Sequence, residues 1–87
     1  MALEFLNDTR SFDAARQCVS FWGYDSAFEV MFRLDHTALG SFAGQQQLSE
    51  LTALKAFDAN LDQIRKAACK LYRGNSKRYC ELTLKDM

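Results

Sequence analysis

The chain has 87 residues, of which 48% are hydrophobic and 25% are charged, a composition that supplies a compact core and argues against a disordered chain. Eleven basic and eleven acidic residues give a formal net charge of zero, so overall charge gives no support for a nucleic acid or an anionic membrane as partner. We expect one domain, residues 1–87, without a deep active site, because so small a domain buries only about 60 to 65% of its unfolded surface.

The cysteines, the histidine and the N-terminal residues bear on cofactors and location. Three cysteines, Cys18, Cys69 and Cys80, lack a C-x-x-C spacing, and the single histidine, His36, leaves too few ligands for an ordinary zinc site. We therefore expect no metal and no other cofactor. The first ten residues contain no basic segment followed by an apolar run, and no window approaches the about 20 apolar residues that span a bilayer. These features predict a cytoplasmic protein without membrane contact, whose cysteines are buried apolar side chains.

The N-terminal part is predicted to contain an edge strand, a short helix and a hairpin. "LEFL", residues 3–6, is typical of an edge strand, and Ser11 is a candidate N-cap for a helix from Phe12 to Arg16. Residues 18–35 read as two strands joined around Gly23 to Ser26. The apolar residues on one face of this hairpin are Val19, Phe21, Phe28, Val30, Phe32 and Leu34.

Helices and a last strand are predicted after the hairpin. Asp35 can cap a short helix over residues 36–43, and Gly44 can end it in the left-handed conformation. From Ser49 to Arg73 apolar residues recur every three or four positions, which predicts one long amphipathic helix. Residues 77–84 alternate again and predict a third strand. Its inward side chains would be Cys80, Leu82 and Leu84.

Together these elements predict an α+β fold. A small, mainly antiparallel sheet, made of the hairpin and the C-terminal strand, is covered on one face by the long helix, and one or two short helices complete the domain. No helix is left to cover the opposite side, which we call the outer face of the sheet. Its predicted residues are Cys18, Ser20, Trp22, Glu29, Met31, Arg33, Tyr79, Glu81 and Thr83.

Three segments resemble a family of short bacterial proteins of unknown function, the DUF1488 family. They are "SFDAARQCVSF", "FEVMFRLDHTAL" and "AFDANLDQIRKAACKLY". The resemblance covers nearly the whole chain and implies a fold and a bacterial cytosolic setting, without supplying catalytic residues. It is carried by general apolar spacing together with a few residues such as Phe12, Asp13, Arg16, Phe57 and Ile64.

The outer face carries the strongest candidate site. Its central residues, Trp22, Met31, Arg33 and Tyr79, are of the types enriched at the centres of protein interfaces. The leading hypothesis is therefore a non-enzymatic interaction or regulatory module that binds a protein partner or a second copy of itself. In the alternative interpretation, the face is merely solvated and is partly covered by the N-terminal segment around "LEFL" and Phe12.

An uneven distribution of charge supports a second hypothesis, a weak nucleic-acid-binding module. Between positions 65 and 85 seven residues are basic and one, Glu81, is acidic. Arg73, Lys77 and Arg78 would lie near phosphates, and the aromatic residues of the outer face would stack on bases. The zero net charge and the acidic residues within the outer face count against this hypothesis.

No motif supports an enzyme, and we expect no catalytic residue. His36 and Cys69 are the residues best suited to act as a base or a nucleophile, but an exposed histidine and a packed thiol are the simpler interpretations. Asp58 and Asp62, four residues apart, are interpreted as members of solvated ion pairs with basic residues of their own helix.

Overall fold

The structure, a computed structural model, describes residues 3–5, 9–45, 47–75 and 79–87, with only the backbone of residues 74 and 75. It confirms the α+β fold, since three helices pack on a mixed sheet of five strands. In chain order the elements are β1 (Leu3–Glu4), β2 (Arg10–Asp13), β3 (Cys18–Asp25), β4 (Phe28–Leu34), α1 (His36–Ala43), α2 (Glu50–Ala59), α3 (Leu61–Asn75) and β5 (Tyr79–Leu82).

The hairpin of β3 and β4 forms the centre of the sheet. β1 and β2 pair one after the other with the free side of β3, and both are antiparallel to it. β5 pairs with β4 and is parallel to it, as expected for two strands that are separated by a long helical connection. The predicted hairpin and the predicted C-terminal strand are confirmed, and the sheet remains mainly antiparallel.

The predicted short helix from Phe12 to Arg16 is wrong. Ser11 and Phe12 lie in β2, where Phe12 pairs with Val19 and packs against the core. Asp13 ends the strand, and its Oδ1 accepts hydrogen bonds from two backbone N–H groups of the following turn at 3.0 and 3.2 Å. A five-residue helix has little stability of its own, whereas pairing with β3 satisfies the backbone and buries an aromatic ring.

The hairpin turn lies at Ser26 and Ala27, at the C-terminal end of the predicted turn. Gly23 is inside β3, where a Cβ atom would approach side-chain atoms of both Leu3 and Phe5 to 3.1 Å. The glycine therefore makes room for the N-terminal segment rather than for a turn.

Two helices replace the single long helix predicted from Ser49 to Arg73. At Asn60 the backbone leaves the helical region, with φ −117° and ψ 22°, and the side-chain Nδ2 donates a hydrogen bond to the carbonyl oxygen of Ala56 at 2.8 Å. Such competition with backbone hydrogen bonds is typical of asparagine. The apolar pattern continues through the break, because Phe57 and Ile64 are both buried in one core.

The predicted caps of α1, Asp35 and Gly44, are confirmed, and Ser49 supplies a further cap at the start of α2. The Asp35 carboxylate accepts a hydrogen bond from the Ala38 N–H at 3.1 Å, and the Ser49 hydroxyl accepts one from the Thr52 N–H at 3.2 Å. Gly44 ends α1 with φ 71°, in the left-handed region that favours glycine.

The C-terminal strand is shorter than predicted. β5 ends at Leu82, and Leu84–Asp86 form a short 3₁₀ helix in which the Asp86 carboxylate accepts a hydrogen bond from the Thr83 N–H at 2.9 Å. Leu84 is 48% exposed, so its predicted inward orientation is wrong.

The core lies between the helices and the inner face of the sheet. Phe21 and Phe32 stack with their ring centroids 5.3 Å apart, and Phe57 of α2 lies 5.2 Å from Phe21. Arg10 of β2 also connects the sheet to the helices, because its guanidinium donates two hydrogen bonds of 2.8 Å to the carboxylate of Asp58 on α2. Asp58 therefore pairs with the sheet, not with its own helix as interpreted from sequence.

Candidate functional site

One row of three side chains crosses the outer face of the sheet. The strand register pairs Trp22 of β3 with Met31 of β4, and Met31 with Tyr79 of β5. Because neighbouring strands are about 4.8 Å apart, these side chains form a continuous strip about 10 Å long. Trp22 and Met31 are half-buried and Tyr79 is 44% exposed. The structure thus brings together three of the four residues predicted for the interface, and we call them the aromatic strip.

Arg33, the fourth predicted residue, flanks the aromatic strip on the same face. Its guanidinium carbon lies 5.5 Å from the centroid of the Tyr79 ring, within the range of a cation–π interaction. Its Nε atom is buried and has no hydrogen-bond partner within the described part of the chain. Because the Nε atom is enclosed by the protein, a carboxylate from a second molecule could be met only by the terminal Nη groups of the guanidinium.

Glu29 flanks the aromatic strip on the opposite side. It lies on β4 four residues before Arg33, and because side chains alternate along a strand, both project from the outer face with Met31 between them. Glu29 is exposed and accepts a hydrogen bond from the Tyr24 hydroxyl at 3.2 Å. Glu29 was not assigned to the site from the sequence. The pattern is nevertheless visible there, because Glu29 and Arg33 have opposite charges and lie two positions before and two positions after Met31 on one strand.

Three apolar residues of the N-terminal segment, Leu3, Phe5 and Phe12, pack toward the inner face of the sheet and not over the aromatic strip. Leu3 and Phe5 approach Gly23, and the Phe5 ring lies 6.1 Å from both Phe21 and Phe32 on the inner face. Phe12 also packs against the core. For these residues the alternative of a covered outer face is contradicted.

A comparison with known protein families identifies the chain. The sequence model of the family described as "Protein of unknown function (DUF1488)" matches residues 3–83. The chain belongs to the DUF1488 family. This confirms the resemblance noted from the sequence. Searches of the curated proteins and of the solved structures found no match.

In this DUF1488 protein, the end of the outer face away from Glu29 carries Cys18 and Ser20. Both residues are buried. Burial raises the pKa of the Cys18 thiol, while the nearby positive charge of Arg33 acts in the opposite direction. The net shift is upward, so the thiol stays neutral at physiological pH and is a poor nucleophile.

Of the three residues predicted for nucleic-acid binding in this DUF1488 protein, the structure describes Arg73 alone, and it lies away from the outer face. Arg73 is exposed on α3, which packs on the inner side of the sheet, and Lys77 and Arg78 lie outside the described residues. Arg73 borders an open groove of about 450 Å³ that contains both signs of charge. The residues lining this groove are Phe5, Asp62, Arg65, Lys66, Cys69, Lys70 and Arg73.

The side chains with potential for chemistry are dispersed. His36 is exposed at the start of α1, and Cys69 is half-buried on α3. Among the described residues no group of three or more histidine, cysteine, aspartate and glutamate side chains is arranged to hold a metal ion. In the same part of the chain, no helix has the length and apolarity needed to cross a membrane.

Proposed function

We propose that this DUF1488 protein is a non-enzymatic cytoplasmic interaction module that acts through the outer face of its sheet and binds a second copy of itself there. The aromatic strip of Trp22, Met31 and Tyr79 carries this proposal. Residues of these types are enriched at interface centres, and the helices together with Leu3, Phe5 and Phe12 pack on the other side of the sheet.

The charges on the outer face favour a second copy over an unrelated partner. The face presents a guanidinium at Arg33 and carboxylates at Glu29 and at Glu81, the cross-strand neighbour of Arg33, and Glu29 and Arg33 lie on either side of the aromatic strip. A surface that carries both signs at matched positions complements itself, whereas a strongly acidic or basic partner would leave one of the two charges repelled.

The size of the outer face sets the expected affinity. Four adjacent strands are about 19 Å wide, and the length of β4 is about 23 Å, so the face lies at the small end of specific protein interfaces. We therefore expect a dimer with a dissociation constant in the micromolar range.

The dispersion of His36 and the three cysteines supports the non-enzymatic part of the proposal. His36 begins α1 and Cys69 lies on α3, so the two candidates for a base and a nucleophile are on separate helices. Cys18 and Cys80 are buried, which agrees with thiols that act as small apolar side chains in a reducing cytoplasm.

The substitution Met31→Glu is expected to weaken self-association at least tenfold, because it places a carboxylate in the centre of the aromatic strip, where it would be desolvated on binding. Trp22→Ala, which removes contact area at the same strip, should act in the same direction. The measurement is sedimentation velocity over a concentration series, with circular dichroism to verify that each variant is folded.

Leu51→Glu is the matched control for Met31→Glu. Leu51 is 66% exposed on α2, in the helical layer, so the same introduction of a carboxylate should leave the dissociation constant unchanged. A dimer that survives both changes at the aromatic strip, or one that only Leu51→Glu dissociates, would show that the outer face is not the interface.

Nucleic-acid binding through the basic C-terminal third is the second candidate. The groove bordered by Arg65, Lys66, Lys70 and Arg73 favours it. The expected signature of nucleic-acid binding is an affinity that falls steeply as the salt concentration rises, because each neutralised phosphate releases counterions. RNA binding that did not change between low and physiological salt would exclude it.

A further inference from the structure

We infer that two copies stack outer face to outer face with their β4 strands antiparallel, so that Glu29 of each copy meets Arg33 of the other. This inference rests on the proposed function and deepens it by assigning the geometry of the pair. It follows from the order of three side chains on one strand, Glu29, Met31 and Arg33, and from the symmetry of homodimers.

Symmetry leaves two simple ways to stack the outer faces with aligned strands. The two-fold axis must lie in the plane midway between the sheets, because only such an axis turns one face toward the other. An axis parallel to β4 and directly above it places every residue of that strand opposite its own copy. Glu29 would then face Glu29, and Arg33 would face Arg33, so that both contacts join like charges.

An axis perpendicular to the strands gives the opposite result. When it passes over Met31, it exchanges the positions of Glu29 and Arg33, and each dimer gains two pairs of opposite charge. The same axis follows the aromatic strip, because Trp22, Met31 and Tyr79 share one row of the register. Each of these three side chains then packs against its counterpart at the centre of the interface.

The side chains at both ends are suited to this exchange. Packed sheets lie about 10 Å apart, a gap that an extended glutamate and an extended arginine can bridge between them. Glu29 is exposed and Arg33 is half-buried. The Glu29 carboxylate accepts a hydrogen bond from the Tyr24 hydroxyl at 3.2 Å, and the Arg33 guanidinium lies beside the Tyr79 ring, so both charged groups are retained on the outer face.

A charge-exchange experiment tests the antiparallel stack. Glu29→Arg and Arg33→Glu should each raise the dissociation constant about tenfold or more, because each turns two attractive pairs into two repulsive ones. The double variant Glu29→Arg/Arg33→Glu should return to within about threefold of the parent. Equimolar mixing of the two single variants should also restore a dimer, since all charge pairs across the mixed interface are then opposite in sign.

Lys55→Glu is the matched control, because it reverses an exposed charge on α2 and should leave self-association unchanged. Thermal melting monitored by circular dichroism verifies that every variant is folded. Single variants that associate as the parent does, or a double variant weakened by the product of the two single effects, would overturn the antiparallel stack. A dimer formed by pairing of the β5 edges of two copies would give the same result, because Glu29 of one copy would not meet Arg33 of the other.

The outcomes separate this inference from the proposed function. If Met31→Glu dissociates the dimer but the charge-exchange variants leave its dissociation constant unchanged, the outer face remains the interface and only the antiparallel geometry is excluded. If the parent chain stays monomeric at every concentration, both the proposed function and this inference are excluded.

Discussion

Replacing Phe57 by alanine is expected to lower the free energy of unfolding by about 3–5 kcal/mol, the usual cost of removing a buried phenylalanine ring. Phe57 is 2% exposed and joins α2 to the sheet through its ring contact with Phe21. A domain of this size has a total stability of about 4 to 13 kcal/mol, so the variant loses a large fraction of it. Urea denaturation of the parent and the variant at equal protein concentration measures the difference.

Leu51→Ala is the control for Phe57→Ala. Leu51 is on the same helix but is 66% exposed, so its truncation should change the free energy of unfolding by no more than about 0.5 kcal/mol. Equal losses for the two variants would contradict the placement of α2 against the sheet.

Replacing Tyr72 by phenylalanine is expected to lower the free energy of unfolding by about 1.5–3 kcal/mol, the range for hydrogen bonds to charged groups. The Tyr72 hydroxyl donates a hydrogen bond of 2.5 Å to the Asp25 carboxylate, and the tyrosine is only 6% exposed. This bond connects α3 to the end of β3. A double-mutant cycle with Asp25→Ala, followed by urea denaturation, isolates the contribution of the pair.

Tyr79→Phe provides the same chemical change at an exposed tyrosine. It should alter the free energy of unfolding by at most about 0.5 kcal/mol. All four proteins of the cycle and this control are compared at a concentration well below the expected dissociation constant, where every chain is monomeric and self-association adds nothing to apparent stability. A Tyr72→Phe variant as stable as Tyr79→Phe would show that the bond to Asp25 contributes nothing.

The elements that sequence reasoning predicted correctly are those whose signals are local. Alternation along β4 separates Phe32 on the inner face from Met31 on the outer face, and the structure agrees. Asp35 and Gly44 also act at the ends of α1 as their residue types predict. In these cases the side chain and the backbone within a few residues decide the conformation.

The errors arose where distant contacts outweigh local preference. Phe12 forms part of a strand because β3 offers it a pairing edge. Gly23 does not mark a turn, because two side chains of the N-terminal segment occupy the space above it. Asn60 interrupts a helix through a side-chain hydrogen bond to the carbonyl oxygen of Ala56. The apolar pattern does not reveal this break, because it continues in register on both sides.

The candidate site was predicted in part. Alternation alone places Trp22, Met31, Arg33 and Tyr79 on one face, but their alignment depends on the parallel pairing of β5 with β4. That register involves residues almost 50 positions apart, and no local pattern specifies it. The role of Glu29 was not predicted, although its position two residues before Met31 and four before Arg33 can be read from the alternation along β4.

Sedimentation equilibrium of the unmodified chain tests the proposed self-association most directly. The experiment is done at low and at physiological salt, with and without a mixed-sequence RNA oligonucleotide. We predict a mass that approaches twice the 9.9 kDa of the chain as the concentration rises through the micromolar range, at both salt concentrations and irrespective of RNA. A chain that remains monomeric, and gains mass only with RNA at low salt, would contradict self-association and favour the basic C-terminal third as the functional surface.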